Sequence, residues 1–580
     1  MRDERSASQI QFGFLPQQTV DVKGGIWKVA YWNDAIPEHS VDANALRKEL
    51  LRTISPWTHA QTDSGFAAHL RGNYALELRK LNRDRGVTLK PFPAIWMCRA
   101  PNCGRLHRQK VGKCQCGSSG SRAQLPFVGY HECGALREPQ LPMCPEHRQV
   151  SIQYPGTSSA RDIRFYCPVC KKTLRQGLAN NVPCECGHGR MSYNVHRAAS
   201  VYTPRSVVMV NPPTTHRIQQ LRDAGGEARA LEWVLDGMTE RDATDAGTTA
   251  ESLRQQLRAN NLPEALVDRM VQEAIGSGAL AGPPTSLELD IHQKEVAEAE
   301  AVLMAMAAAQ SRMTLEDLRK RAPPISPSGV RYHEKYGRAI RTAGMEAVEL
   351  YDRFPVMVGH YGYTRGGTAP GESTLRPFRD KNGTYAVYGE VAETEALLFR
   401  LSPLRVWDWI ANRGLATGEA PGTAREARAA ILKSADMPEW GYQGNELGSA
   451  LLTMIHSMAH RTLRILAVHA GIERNTLSEM LVPSHLGFYI YAAAKGDFVL
   501  GGLQAVFESD LDTFLRALVN DEHRCALDPG CERGGGACTA CLHIGEPSCR
   551  LFNRHLSRTS LFGADGYLRP AASVMERAAG

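Results

Sequence analysis

The spacing of apolar positions changes along this chain and separates strand-like from helical segments. IWKVAYW (26–32) alternates like a strand, whereas ANALRKELLRTI (43–54) repeats its apolar residues at helical spacing. ALEWVLDGM (230–238) and EVAEAEAVLMAMAAAQ (295–310) read as helices in a largely helical stretch over about 214–322. The second is apolar nearly all round, which predicts a helix packed between others. RAPPISPSG (321–329) breaks the pattern with its prolines. Beyond it, YAVYGEVAETEALLFRL (385–401) predicts one or two strands, and SALLTMIHSMAHRTLRILAVHAG (449–471) a long helix ending at Gly471. LGFYIYAAA (486–494) predicts a buried strand, KGDFVLGGL (495–503) a turn, and DLDTFLRALV (510–519) a further helix.

These elements predict an α+β multidomain chain. The expected divisions are an N-terminal mixed segment over 1–90, a cysteine-rich region over 91–210, a mainly helical region over 211–328, and a mixed α/β region over 329–580. A hydrophobic content of 43% and a charged content of 22% in 580 residues are those of a globular protein. No apolar run reaches the roughly 20 residues of a membrane span. MRDERSASQIQFG lacks the apolar core of a secretory signal, so a cytoplasmic location is expected.

Cysteine placement changes the picture. Of fifteen cysteines, ten lie between Cys98 and Cys186 and five between Cys525 and Cys549. An odd, clustered set in a reducing compartment points to metal ligation rather than disulfides. Cys98-x4-Cys103 followed by Cys114-x-Cys116, and Cys167-x2-Cys170 followed by Cys184-x-Cys186, each pair two turns of two thiolates. That is the arrangement of a zinc ribbon, in which four sulfurs surround the ion at ~2.3 Å. Between the two sets, His131, Cys133, Cys144 and His147 offer a further group of mixed ligands, or else two buried cysteines and two surface histidines. At the C-terminus Cys531, Cys538, Cys541 and Cys549 form another four-thiolate set, with Cys525 able to replace Cys531. Two to four structural Zn2+ ions are expected. Such closed sites leave no coordination position for water.

Charge is informative only near these cysteines. The net charge of +7 is modest, yet Cys98–Arg122 holds six Lys or Arg and no acid, and Arg161–Arg205 holds eight against two acids. Arg105, Arg108, Lys110 and Lys113 in the first ribbon, with Lys171, Lys172 and Arg175 in the second, are candidate phosphate contacts. The alternative is a solvated basic face. No GxxxxGK[ST] is present, so no ATPase is expected from this chain. His456 and His460 stand four apart on the long helix with Glu479 downstream, but Ser457 occupies the position of the general-base glutamate of HExxH. Packed histidines are the expectation there, and no catalytic residue is assigned.

The C-terminal part carries a resemblance. TMIHSMAHRTLRILAVHAGIERNTLSEML (453–481), FYIYAAAKGDFVLGGLQAVFE (488–508) and CERGGGACTACLHIGEPSCRLFNRHLSR (531–558) together resemble the MrfA-type zinc-binding domain. HYGYTRGG (360–367) and YGEVAETEALLFRLSPLRVWDWI (388–410) fit as well. The order of two upstream cysteine-rich modules and this domain, with no helicase motor, is similar to the DrmB family. The resemblance spans about 350–562 and, more loosely, 91–210. It implies a DNA-binding subunit that partners a superfamily 2 helicase, DrmA-like, in a bacterial antiphage defence system of the DISARM type. Alternatives are a scaffold of a helicase complex without DNA contact, or a metal-dependent hydrolase. The hydrolase would need an open metal site, for which the His131–His147 and His456–His460 groups are the candidates.

Overall fold

The segment IWKVAYW lies in the strand Gly25–Trp32, which sits inside a four-stranded sheet between Gly86–Pro91 and Thr19–Val22, with Arg2–Glu4 at the far edge. A register shift between Val29 and Tyr31 against the neighbouring strand lets Val29 and Trp32 both reach the core. There they join Ile10, Leu15, Val87 and Leu89. The helical spacing after it becomes the helix Ala43–His59, capped by Asp42, whose carboxylate accepts from the Ala45 N–H. Its buried face is Leu46, Leu50, Ile54 and Trp57.

In this computed structural model the described residues are all but 83–85, 109–111, 121, 155, 157–159, 179–181, 211, 213, 215–225, 240–252, 255–256, 259–262, 277–286, 368, 381, 440, 493–499, 521–523, 546–547, 550, 563–564 and 569–580. Lys110, the 495–499 part of the expected turn and much of 215–286 within the expected helical stretch over about 214–322 lie outside them.

The chain divides into two compact units. The described part of the first comprises Met1–Pro212 and Met357–Ala392; the second comprises Pro213–Val356, Glu393–Ala494 and Val499–Gly580. Residues on both sides of position 90 bury their side chains in one core of the first unit. Leu46, Leu50 and Ile54 pack in a cluster with Val207, Met209, Met357 and Val387. The long strands Met345–Thr364 and Tyr385–Leu401 are each divided between the units. In the first unit, Tyr385–Tyr388 pairs in parallel with Leu76–Arg79.

Also in the first unit are three small antiparallel sheets of three strands. Trp96–Cys98 lies between Leu106–His107 and Arg122–Gln124, and Phe127–Tyr130 between Leu136–Arg137 and Ser192–Val195. Arg164–Tyr166 lies between Ser151–Gln153 and Thr173–Gln176. The third sheet is inserted in sequence within the second. Leu106, Phe127, Ile152 and Phe165 from all three share one apolar cluster with the flanking Ile95 and Leu125.

The second unit is built around the helix Glu446–His469, which packs on the strands Leu477–Val482 and Gly487–Ala492 and on the helix Leu511–Asn520. YAVYGEVAETEALLFRL is one continuous strand, Tyr385–Leu401. Its second half pairs with Gly487–Ala492, Ala396 facing Tyr491. The apolar helix Ile291–Gln310 packs against Gly226–Leu235 and against the turn Pro483–His485, where the His485 ring nitrogen Nε2 meets the Ala297 carbonyl at 2.8 Å. Glu349 is buried between Arg312 and Arg400 at 2.8 Å from each. Among the described residues no helix is long and apolar enough to cross a membrane.

Candidate metal centres

Five groups of four side chains converge among the described residues, each with its ligand atoms within 4.8 Å of one another. Four of them are rich in cysteine and could hold a metal ion such as zinc.

Cys98, Cys103, Cys114 and Cys116 form the first group, as their spacing predicts. Cys98 ends a strand of the first small sheet, and Cys98–Cys116 and Cys103–Cys114 are each 3.8 Å apart, sulfur to sulfur. Four sulfurs at ~2.3 Å from one ion stand about 3.8 Å apart at the edges of a tetrahedron, whereas a disulfide would bring two of them to about 2.05 Å. The spacing matches the tetrahedral edge. Burial pushes the Cys103 thiol up, to about 12, while the backbone N–H of Ser118 is the largest influence drawing Cys116 down to about 7. A divalent cation overrides such differences, because coordination deprotonates the thiol.

The expected second ribbon, Cys167 and Cys170 with Cys184 and Cys186, does not form. Cys184 and Cys186 join His131 and Cys133, and Cys167 and Cys170 join Cys144 and His147. Cys133 and Cys184 are 3.5 Å apart, and His131 Nδ1 is 3.6 Å from Cys186. In the other group His147 Nδ1 lies 3.5 Å from Cys144 and 3.7 Å from Cys167. The reason is the nesting of the sheets. One group sits between Phe127–Tyr130 and Leu136–Arg137 and just ahead of Ser192–Val195, and the other sits just ahead of Ser151–Gln153 and between Arg164–Tyr166 and Thr173–Gln176. The sequence held a signal for this, since H-x-C at 131–133 repeats the spacing of C-x-C at 184–186, and C-x2-H at 144–147 repeats C-x2-C at 167–170.

The turns that present these ligands share one backbone shape. Gly117, Gly134, Arg148, Lys171 and Gly187 each follow the second ligand of a pair in the left-handed conformation. Each donates its N–H to the carbonyl of the pair's first ligand, as Gly187 does to Cys184 at 3.1 Å. This closes a tight loop with both ligand side chains on one side. At Arg148 and Lys171 a residue with a Cβ accepts a conformation that glycine adopts freely, which ligation would repay.

At the C-terminus the fourth group is Cys525, Cys531, Cys538 and Cys541, not the expected set ending at Cys549. Cys525–Cys538 and Cys531–Cys541 are 3.5 and 3.6 Å apart. Cys525, read as a spare for Cys531, supplies the ligand expected from Cys549. Cys549 instead meets His456, His460 and Glu479, all four buried, in the fifth group. His456 and His460 are buried, as expected of packed histidines, and both turn Nε2 toward Glu479 Oε1. The sequence set His456, His460 and Glu479 side by side but gave no sign that Cys549 joins them, because it comes from a distant loop. Burial pushes the Cys549 thiol well up, with the Glu479 carboxylate a further cause. Burial also disfavours a charged Glu479, but His460 and His456 outweigh it and hold the carboxyl below the usual range.

A family model described as Domain of unknown function (DUF8724) matches residues 6–210. That span contains all three ligand groups of the first unit. No curated protein matches the chain.

The basic residues fall into two kinds. Arg108 and Lys113 beside the first group, and Lys171 and Lys172 beside the third, are exposed. Arg105 is half-buried, on a bridge to Ser151. Arg175 is half-buried too, its guanidinium 4.6 Å from the Phe165 ring and donating to the Gln140 carbonyl. The Arg175 side chain is thus tied to its own segment's packing.

Proposed function

We propose that this chain is a non-catalytic, DNA-contacting cytoplasmic subunit that partners a superfamily 2 helicase in a bacterial antiphage complex of the DISARM type. Zinc occupies the four cysteine-rich groups in this reading. Sulfur-dominated tetrahedral donor sets select it, and four protein ligands leave no position for substrate. Their work is to fix loops that bury little apolar surface. The observation that carries the reading is that Arg108, Lys113, Lys171 and Lys172 stand exposed on such loops. A cation held on a rigid turn contacts phosphate with less loss of side-chain and loop freedom than one on a slack loop. Phosphate contacts position a protein on nucleic acid without reading its sequence. The resemblance of 453–558 to the MrfA-type domain supports a helicase partner.

The test is DNA affinity measured on several unrelated duplexes at low and moderate salt, with and without the helicase. The expected result is sequence-tolerant binding that weakens steeply with salt and is strongest in the complex. A complex whose DNA affinity is the same with and without this chain would make it a scaffold.

A further inference from the structure

We infer that His456, His460, Glu479 and Cys549 form a fifth metal site, one that takes a divalent first-row ion, zinc by its donor set, and pins the C-terminal loop to the core of the second unit. The inference does not depend on the DNA reading.

Hydrogen-bond accounting at the two rings favours a shared cation over a cluster held together by protons alone. His456 Nδ1 lies 3.2 Å from the His555 carbonyl, and His460 Nδ1 lies 2.8 Å from the Leu542 carbonyl. A carbonyl only accepts, so each Nδ1 carries a proton. Both Nε2 atoms then face one carboxylate oxygen, Glu479 Oε1, at 3.0 and 3.2 Å. Cys549 Sγ is 3.4 Å from His456 Nε2.

Without a metal the geometry depends on protons shared among four buried titratable groups. Neutral rings would turn two lone pairs toward a carboxylate, acceptor against acceptor. Two imidazolium rings would leave a net positive charge among side chains that are 0–1% exposed unless the buried Cys549 thiol ionised as well, and a single imidazolium would leave the other Nε2 lone pair against Glu479 Oε1. A divalent cation removes the conflict. Two neutral imidazoles, one carboxylate and one thiolate carry two negative charges, which balance it. Glu479 Oε2, buried and without a hydrogen-bond partner among the described residues, is a further oxygen donor open to a cation.

The surroundings match those of a metal ligand set. The backbone carbonyls fix each ring's tautomer and aim its Nε2 inward, the usual outer-shell arrangement for a ligating histidine. The Asn553 N–H lies 3.2 Å from Cys549 Sγ, suited to a thiolate. Asn553 also closes the loop by exchanging two hydrogen bonds with the backbone of Ile544 at 3.0 Å. The nitrogen, oxygen and sulfur donors suit zinc. Complete burial leaves no route for substrate, so the site is structural.

The deciding measurement is native mass spectrometry of the full-length protein saturated with zinc. The wild type is expected to hold five ions, Cys549→Ser and Cys525→Ser four each, and the double variant three. Glu479→Gln, which keeps size and shape, is expected to hold four. If the serine variants do not fold, the wild-type count and Glu479→Gln decide. A wild type holding four or fewer ions overturns the inference. So does a folded Cys549→Ser with the wild-type count, or a double variant that loses one ion only.

Discussion

Cys184 lies 3.5 Å from Cys133, 51 residues away in sequence, and belongs to a different ligand group from Cys170, its nearer neighbour in the chain. This pairing separates two metal centres where local spacing suggests one. Cys167→Ser and Cys184→Ser are therefore each expected to lose one ion, and the double variant two. A single shared site would lose one ion in all three, so metal counting on the folded variants distinguishes the arrangements.

Cys525 completes the C-terminal thiolate group, and its replacement is expected to open the loop that it holds. Metal binding contributes directly to folding where the loop buries little else. Limited proteolysis of Cys525→Ser is expected to show new cleavage within 525–541, while the units' cores stay resistant. A wild-type digestion pattern would count against the assignment.

Glu349 links stability to acid. Burial alone would raise its carboxyl, but Arg400 and Arg312 outweigh that and lower it from its ordinary 4.5 to about 2. A carboxyl depressed on folding stabilises the protein above its unfolded pKa, and that contribution is lost as pH falls from about 4.5 toward 2. A shift of this size is worth roughly 3 kcal/mol. Glu349→Gln is expected to be destabilised by about 3–5 kcal/mol at neutral pH, because it leaves two buried arginines short of a counter-charge. Its deficit relative to the wild type is expected to shrink in acid, as measured by denaturant unfolding at several pH values.

Exposed and half-buried cations in the first unit are expected to behave differently. Reversing charge at Arg108, Lys113, Lys171 and Lys172 together is expected to weaken DNA binding about equally on all sequences. The salt slope is expected to fall by about 1 for every phosphate that is no longer neutralised. Arg175→Ala, which removes the stack on Phe165, is expected to lower thermal stability instead. Unchanged affinity and salt slope in the fourfold variant would place the DNA interface elsewhere.

The isolated chain is expected to show no ATP hydrolysis, since it contains no phosphate-cradling GxxxxGK[ST] loop. Turnover by contaminant-free protein would overturn this.

Much of the local structure was legible in the sequence by itself. The spacing of apolar residues set the helices at 43–59 and 446–469 and the strand at 385–401, because secondary structure follows a period of a few residues. The first thiolate group was legible for the same reason, its two pairs lying in one local turn-and-strand unit. Tertiary structure alone decided how the remaining ligands are shared. One sheet is inserted within another, so Cys167 and Cys184 part company, and a helix, a strand and a C-terminal loop bring His456, His460, Glu479 and Cys549 together. Spacing constrains only ligands on one turn. Which turns then meet depends on the packing of sheets and helices, and that is a long-range property of the fold.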